Sequence, residues 1–365
     1  MRSKQYLASF SAILAALLFG ISSPISKILL EEIPPTLLAA LLYLGAGLGM
    51  ALLAAISHIK SQQGTQRKEA PLSRNELPFI FGMILLDMLA PISLMAGLLL
   101  TTAANASLLN NFEIVATTLI ALLLFHEAIS KRLWIALGFI TIASLLLSFE
   151  DMSSFSFSTG SFFVILACIC WGFENNMTRK LSIKNPMQIV IIKGFGSGFG
   201  SLLVAFLLQE RTDHLSYIIA ALLLGFVSYG LSIFFYVTAQ RELGASRTSA
   251  FYALAPFIGV GISFLVLRET PTIAFFIALP VMAIGIFFTL SERHKHAHLH
   301  PTLEHEHRHN HMDGHHIHSH PDFTGEHSHV HSHEECVHTH KHTPDIHHTH
   351  EHPSRKHNKH ERHAH

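Results

Sequence analysis

The chain has 365 residues, 49% of them hydrophobic and only 14% charged, whereas an ordinary soluble domain carries about 25% charged residues, so that class is excluded. The formal net charge of zero sums two unlike parts: of the 30 histidines only His58, His126 and His214 precede Leu290. An apolar body, residues 1–290, is followed by a polar, histidine-rich tail, residues 291–365, and three cysteines with two inside one apolar run exclude a secreted disulfide framework.

The first element, "MRSKQYLASFSAILAALLFGISSPI", opens with Arg2 and Lys4 as a signal peptide does. Its apolar region is too long and no small-residue cleavage site ends it, so it reads as a retained membrane span. Apolar runs of bilayer-crossing length then recur at 6–29, 36–57, 77–99, 104–125, 132–149, 160–180, 187–208, 215–238, 247–267 and 272–290. Joints as short as "TTAA" at 101–104 allow only tight helical hairpins, and "HEAISKR" at 126–132 separates the fourth and fifth runs with charge. The expected fold is an all-α membrane bundle of ten transmembrane helices.

Basic residues set its orientation. Alternate breaks hold Arg2, Lys4, Lys60, Arg67, Lys68, Arg74, Lys131, Arg132, Arg179, Lys180, Lys184, Arg241 and Arg247, against Lys27, Arg211 and Arg268 in the other set. The N-terminus is therefore expected in the cytoplasm, and ten spans return the tail there, in a multi-pass protein of the plasma (inner) membrane.

The body repeats itself. "LLFGISSPISK" at 17–27 aligns with "ICWGFENNMTR" at 169–179, and "GAGLG" at 45–49 with "GSGFG" at 196–200. "FEIVATTLIALLLFHEAIS" at 112–130 aligns with "LAPFIGVGISFLVLRETPT" at 254–272. Five spans per repeat is odd, so the halves, 1–149 and 150–290, are expected in opposite orientations. Such inverted repeats characterise secondary transporters, which bind substrate between the repeats near the bilayer midplane.

On these features the chain resembles the drug/metabolite transporter superfamily, in its ten-helix EamA branch, over residues 6–290. The resemblance is carried by Phe19-Gly20 and Trp171-Gly172 in the first helix of each half. The close of the fourth helix of each half carries it too: Pro256 with Glu269 in the second, Glu113-Ile114 with Glu127 in the first. The first half lacks the proline, and His126 and Arg268 replace the small residue before the terminal glutamate. The resemblance implies ion-coupled transport, often export, of small organic solutes, and no catalytic chemistry.

An ionisable side chain at bilayer depth normally faces a partner or a watery cavity. Asp87 lies near the middle of the third span. Asn110, Asn111 and Glu113 lie in the fourth, where Asn110, Glu113 and Thr117 share a helix face. In the sixth span Glu174 and Asn175 stand beside Trp171, with Cys170 and Thr178 on the Glu174 face; Lys193 heads the seventh. A carboxylate that takes up and releases a proton here could exchange it for substrate. Equally, these groups could bond neighbouring helices and only hold the bundle. Lys193 is free to bind an anionic group, to pair with Glu174 or Glu113, or to snorkel to the interface. The substrate and coupling-ion set is thus Asp87, Asn110, Asn111, Glu113, Glu174, Asn175 and Lys193. Glu127 and Glu269 are expected to place negative charge at the start of the helix that follows each. Cys168 and Cys170 point to opposite sides of a helix and suit packing better than metal, and Tyr229, Tyr236 and Tyr252 suit packing or the interface.

The tail carries H-x-H clusters: His294, His296, His298 and His300; His305, His307, His309 and His311; His315, His316, His318 and His320; His327, His329, His331 and His333. Between them stand Pro301, Pro321, Pro344 and Pro353 with few large apolar residues, so the segment cannot bury a core and is expected to be disordered. Imidazole suits zinc, nickel, cobalt or copper, and a flexible H-x-H chain supplies several nitrogens to one ion. A tail that becomes cationic at acid pH and incidental low complexity are the alternatives. An expression tag would be one short uniform run.

Two functions follow. One is an ion-coupled exporter of a small solute with a metal-binding regulatory tail. The other is a nickel, cobalt or zinc efflux carrier whose tail collects the cargo. The body needs no cofactor; the tail takes a divalent transition metal. The partners are the bilayer and the cargo, with a homodimer open and no nucleic acid. A metal-sensing receptor or an enzyme fits less well, since an anchor needs no inverted repeat and no nucleophile–base set or phosphate loop occurs.

Overall fold

The computed structural model describes residues 2–60, 76–125, 130–151, 156–181, 185–243, 251–290, 294–300, 303–309, 327–333 and 336–342. Among the described residues the body is helical apart from one short hairpin. The first half runs α1 (Arg2–Gly20), α2 (Ser22–Leu29), α3 (Pro35–Lys60), α4 (Leu77–Leu100), α5 (Ala103–Leu109), α6 (Phe112–Phe125) and α7 (Lys131–Ser148). A short hairpin of β1 (Phe149–Asp151) and β2 (Ser156–Phe157) leads into the second half. That half comprises α8 (Thr159–Leu181), α9 (Pro186–Leu207), α10 (Leu215–Gly225), a π-helical turn (Phe226–Leu231) and α11 (Ser232–Leu243). It ends with α12 (Ala255–Ile262), a second π-helical turn (Ser263–Leu267) and α13 (Ile273–Leu290).

Local chemistry explains the starts. Ser130 accepts from Leu133 N and Asn185 from Met187 N, satisfying first-turn donors of α7 and α9 that have no intrahelical partner. Pro35 and Pro186 stand at first helical positions, where a missing N–H costs nothing. The breaks are equally legible. Pro24 cannot donate to the carbonyl of Gly20, at the joint between α1 and α2, and Pro256 cannot donate to that of Tyr252, just before α12. The fourth apolar run breaks at Asn110–Asn111, two poor helix formers, into α5 and α6.

Among the described residues seven helical segments are long and apolar enough to cross a membrane: 6–29, 35–56, 77–100, 103–124, 131–148, 187–207 and 215–239. Two shorter apolar helices, 255–267 and 273–289, and α8 accompany them. The second half of α8 carries Glu174, Asn175, Asn176, Arg179 and Lys180, which lowers its hydropathy despite its length.

The two halves pack into each other rather than side by side. The most extensive helix pairs, α4 with α8, α3 with α9, α7 with α13 and α1 with α11, all join the first half to the second. Glycines on α9 let this happen: a Cβ at Gly196 would lie 2.6 Å from Ile84 of α4, and one at Gly198 would lie 2.8 Å from the Leu44 backbone of α3. The core holds Leu38, Leu42, Leu94, Leu98, Leu108, Leu109 and Ile140, all fully buried.

Glu269 does not serve the helix that follows it. Thr272 Oγ1 accepts from Phe275 N at the start of α13, while Glu269 reaches across to α5. The reason is the left-handed backbone of Arg268 (φ 53°), which ends the π turn and swings the next side chain away. Glu127 and His126 lie outside the described residues.

In the tail, expected to lack regular structure, β3 (His294–His300) pairs antiparallel with β6 (Cys336–His342), and β4 (Leu303–His309) with β5 (His327–His333). Alternation of histidine with other residues has the period of a strand. The register sets His294, His296 and His298 opposite His342, His340 and His338, and His305, His307 and His309 opposite His331, His329 and His327. A lone two-stranded ribbon is marginal in water, so packing by these strands alone gives little stability.

Candidate functional site

Three charged side chains from three helices meet inside the bundle. Asp87 of α4, Glu174 of α8 and Lys193 of α9 are 1%, 3% and 7% exposed. Lys193 Nζ lies 2.8 Å from Glu174 Oε1 and donates to it, and 3.2 Å from Asp87 Oδ2. Tyr43 of α3, also buried, donates its hydroxyl to Asp87 Oδ1 at 2.9 Å. Thr178, one turn beyond Glu174, donates to the Glu174 carboxylate. The glycine faces of α9 bring α3 and α4 close enough for Asp87 to meet both Tyr43 and Lys193.

The cluster is unbalanced. Two carboxylates share one ammonium, so with all three ionised the buried group carries one excess negative charge. An uncompensated buried charge is expensive, which drives such a group to take up positive charge. Asp87 Oδ2 is the natural place: it is buried and, apart from the ion pair with Lys193, makes no hydrogen bond among the described residues.

A second polar group lies alongside, on the next position of α8. Asn175 Nδ2 donates to Glu113 Oε1 at 2.6 Å and to Thr117 Oγ1 at 3.3 Å, joining α8 to α6. Asn176 donates to the carbonyls of Thr117 and Gly172. Asn110 and Asn111 form the break above Glu113. Cys168 Sγ approaches the Asn110 carbonyl at 3.8 Å, and Asn111 Nδ2 donates to Leu108 O. Neither touches the charged triad.

From Tyr43 a row of rings leads away through the bundle: Tyr43 to Tyr229 at 5.4 Å, Tyr229 to Phe19 at 5.9 Å, Phe19 to Tyr252 at 5.5 Å and Tyr252 to Tyr236 at 4.8 Å. Ser22 donates to the Tyr229 hydroxyl at 3.2 Å. These tyrosines pack, as expected, and Tyr229 also binds the α1–α2 joint.

The structure thus brings together Asp87, Glu174 and Lys193, and separately Glu113 and Asn175. Sequence reasoning missed Tyr43. Its signal was a phenolic hydroxyl in the middle of the apolar run "LLYLGAGLG", where it must find a partner. Among the described residues no three of His, Cys, Asp and Glu gather as a metal-holding group. His311, His315, His316, His318 and His320 lie outside the described residues, as do the side chains of the strand histidines.

Comparison with known proteins adds a family match, two relatives and one fold neighbour. The EamA-like transporter family matches the chain twice, over residues 7–149 and 158–291. An uncharacterized transporter of Methanothermobacter thermautotrophicus is 29% identical over 288 residues, covering 76% of this chain and 84% of its own length. The uncharacterized transporter YyaM of Bacillus subtilis is 25% identical over 179 residues, covering 47% and 59%. A crystal structure with 17% identity superposes with a TM-score of 0.55 over 77% of this chain and 94% of that one, a likeness of fold alone.

Proposed function

The chain belongs to the EamA-like transporter family and is a multi-pass membrane transporter, and from this premise we propose a proton-coupled exporter of a small solute, working through Asp87, Glu174 and Lys193. The observation that carries the reading is the single ammonium shared by two buried carboxylates, with Asp87 Oδ2 left without a hydrogen bond. One proton on the cluster cancels its excess charge. A cationic group of a solute does the same, so proton and solute compete for one place. Binding of one releases the other, and their counterflow follows when the site faces each side of the membrane in turn.

In this reading ten helices form two inverted five-helix halves, with both termini in the cytoplasm. The family match to each half and the broken fourth helix of both, at Asn110–Asn111 and just before Pro256, support the arrangement. Glu113 with Asn175 and Thr117 is the second polar contact for the solute. In proteoliposomes with a pH-sensitive dye inside, a transported solute should move protons in the opposite direction. Asp87→Asn and Glu174→Gln should uncouple that proton movement; normal coupling in both would overturn the reading.

The tail carries a second reading: its histidines bind a divalent transition metal that either regulates transport or is itself the cargo. The H-x-H spacing and the pairing of histidine opposite histidine in both ribbons favour it. Deleting residues 294–365 should remove metal binding. Loss of metal tolerance with intact solute transport would mark the tail as regulator, and metal counterflow by the body would mark metal as substrate.

A further inference from the structure

At the end of the bundle that holds Lys27, Thr101 and Glu269, two glutamates of the second half each cap the N-terminus of a first-half helix, and one backbone device delivers both. After α9, Gln209 adopts a left-handed conformation (φ 59°), and the next residue, Glu210, accepts through Oε2 from Leu37 N of α3 at 2.7 Å. After the second π turn, Arg268 adopts the same conformation (φ 53°), and Glu269 accepts from Ala103 N at 2.7 Å and Ala104 N at 2.9 Å in α5. Among the described residues no other non-glycine residue has positive φ. Such backbone is strained for a residue with a Cβ. Here the strain is spent twice on the same geometry, a carboxylate turned onto the other half.

Ordinary capping uses a residue local to the helix it serves, and α5 already has one: Thr102 accepts from Asn105 N at 3.1 Å. The two glutamates instead tie the halves together, at the one end where both can reach. Glu269 also borders a cavity of about 430 Å³, with Lys27, Thr101, Asn105 and Ser158. Lys27 Nζ donates to the carbonyls of Leu98 and Thr101, so cation and carboxylate hold the two sides of the same joint between α4 and α5. From that joint α5 runs directly to the break at Asn110–Asn111 and to Glu113 beyond it. One short helix thus joins the cap to the polar groups inside.

We infer that Glu210 and Glu269 are a pair of latches that hold the outer face of the transporter closed and release when it opens. The inference rests on the proposed orientation and alternating access, but not on the proton site. When the halves separate, water replaces each carboxylate on the freed N–H groups, so the latches bias the closed state without locking it. Lys27 stays within the first half and preserves the α4–α5 joint through the movement.

The test is external labelling of the full-length protein. Native cysteines are replaced by alanine, and Ser107→Cys is the reporter; Ser107 is 3% exposed, on α5 inward of the latch. A membrane-impermeant maleimide is added outside intact cells. Glu269→Ala and Glu210→Ala should each raise the labelling rate about fivefold, the shift expected from one lost cap, and the double variant about 25-fold. Glu31→Gln, an exposed carboxylate at the same end, should leave it unchanged. Arg268 gives an independent check that keeps Glu269 in place. Arg268→Gly, which accepts φ 53° freely, should label at or below the parent rate, and Arg268→Val, which does not, should label like Glu269→Ala. Unchanged labelling in the double variant and in Arg268→Val, or a rise only with reagent on the cytoplasmic side, would overturn the inference. Raised labelling together with intact proton coupling in Asp87→Asn would reject the proton site and leave the latches standing.

Discussion

Lys193 lies 3.2 Å from Asp87 Oδ2, yet its hydrogen bond goes to Glu174 Oε1 at 2.8 Å. The lysine thus holds Glu174 by the shorter contact and Asp87 by the longer one, which makes Asp87 the member held less tightly. Tyr43 fixes the opposite oxygen, Oδ1, and so sets which face of Asp87 is available.

Removing the lysine should destabilise the fold more than removing either carboxylate. Lys193→Met leaves two buried carboxylates with no cation, and breaking a buried pair this way costs about 3–5 kcal/mol. Thermal unfolding in detergent should show a large drop for Lys193→Met and a small one for Asp87→Asn. Adding Asp87→Asn and Glu174→Gln to Lys193→Met should recover most of the loss.

Tyr43→Phe should keep the aromatic row intact, since its ring contact with Tyr229 does not use the hydroxyl. It should lose about 1.5–3 kcal/mol for the bond to a charged acceptor and slow solute-driven proton movement. A variant as stable and as fast as the parent would show that the Asp87 orientation does not depend on Tyr43.

Gly198→Leu should prevent correct assembly. A Cβ there already meets the Leu44 backbone at 2.8 Å, and overpacking of this kind costs about 1–3 kcal/mol or more when backbone must move. The measurement is the monodisperse fraction in detergent, which should fall sharply. Gly138→Ala, where a Cβ meets nothing within 4 Å, should be neutral.

Deleting residues 294–365 should leave the body's melting temperature within a degree or two in metal-free buffer, because two-stranded ribbons add little stability. Nickel or zinc should shift a spectroscopic or calorimetric signal only in the full-length chain. An equal response from the truncated body would put the metal site in the helices.

Much of this architecture was legible in sequence because membrane helices must satisfy their own backbone and so show as uninterrupted apolar runs. The "TTAA" joint and the charge break after Phe125 were both visible that way. Asp87, Glu174 and Lys193 stood out singly, as ionisable groups in apolar runs. Their convergence did not, since it depends on how α4, α8 and α9 are rotated about their axes, and Lys193 was open to Glu113 as readily as to Glu174. Glu269 was misassigned because its partner is 166 residues away in the chain, beyond any local rule for helix starts. Lys27 and Glu210 escaped notice for the same reason. Each sits at a helix end where an exposed charge is ordinary, and only the cross-contact reveals its use.

The most direct measurement of the central claim is solute-driven proton movement in proteoliposomes, comparing the parent with Asp87→Asn, Glu174→Gln and Glu113→Gln. A proton site at Asp87 and Glu174 predicts proton counterflow in the parent, none in Asp87→Asn or Glu174→Gln, and weakened solute binding with coupling retained in Glu113→Gln. Proton counterflow at the parental rate in both Asp87→Asn and Glu174→Gln would contradict it.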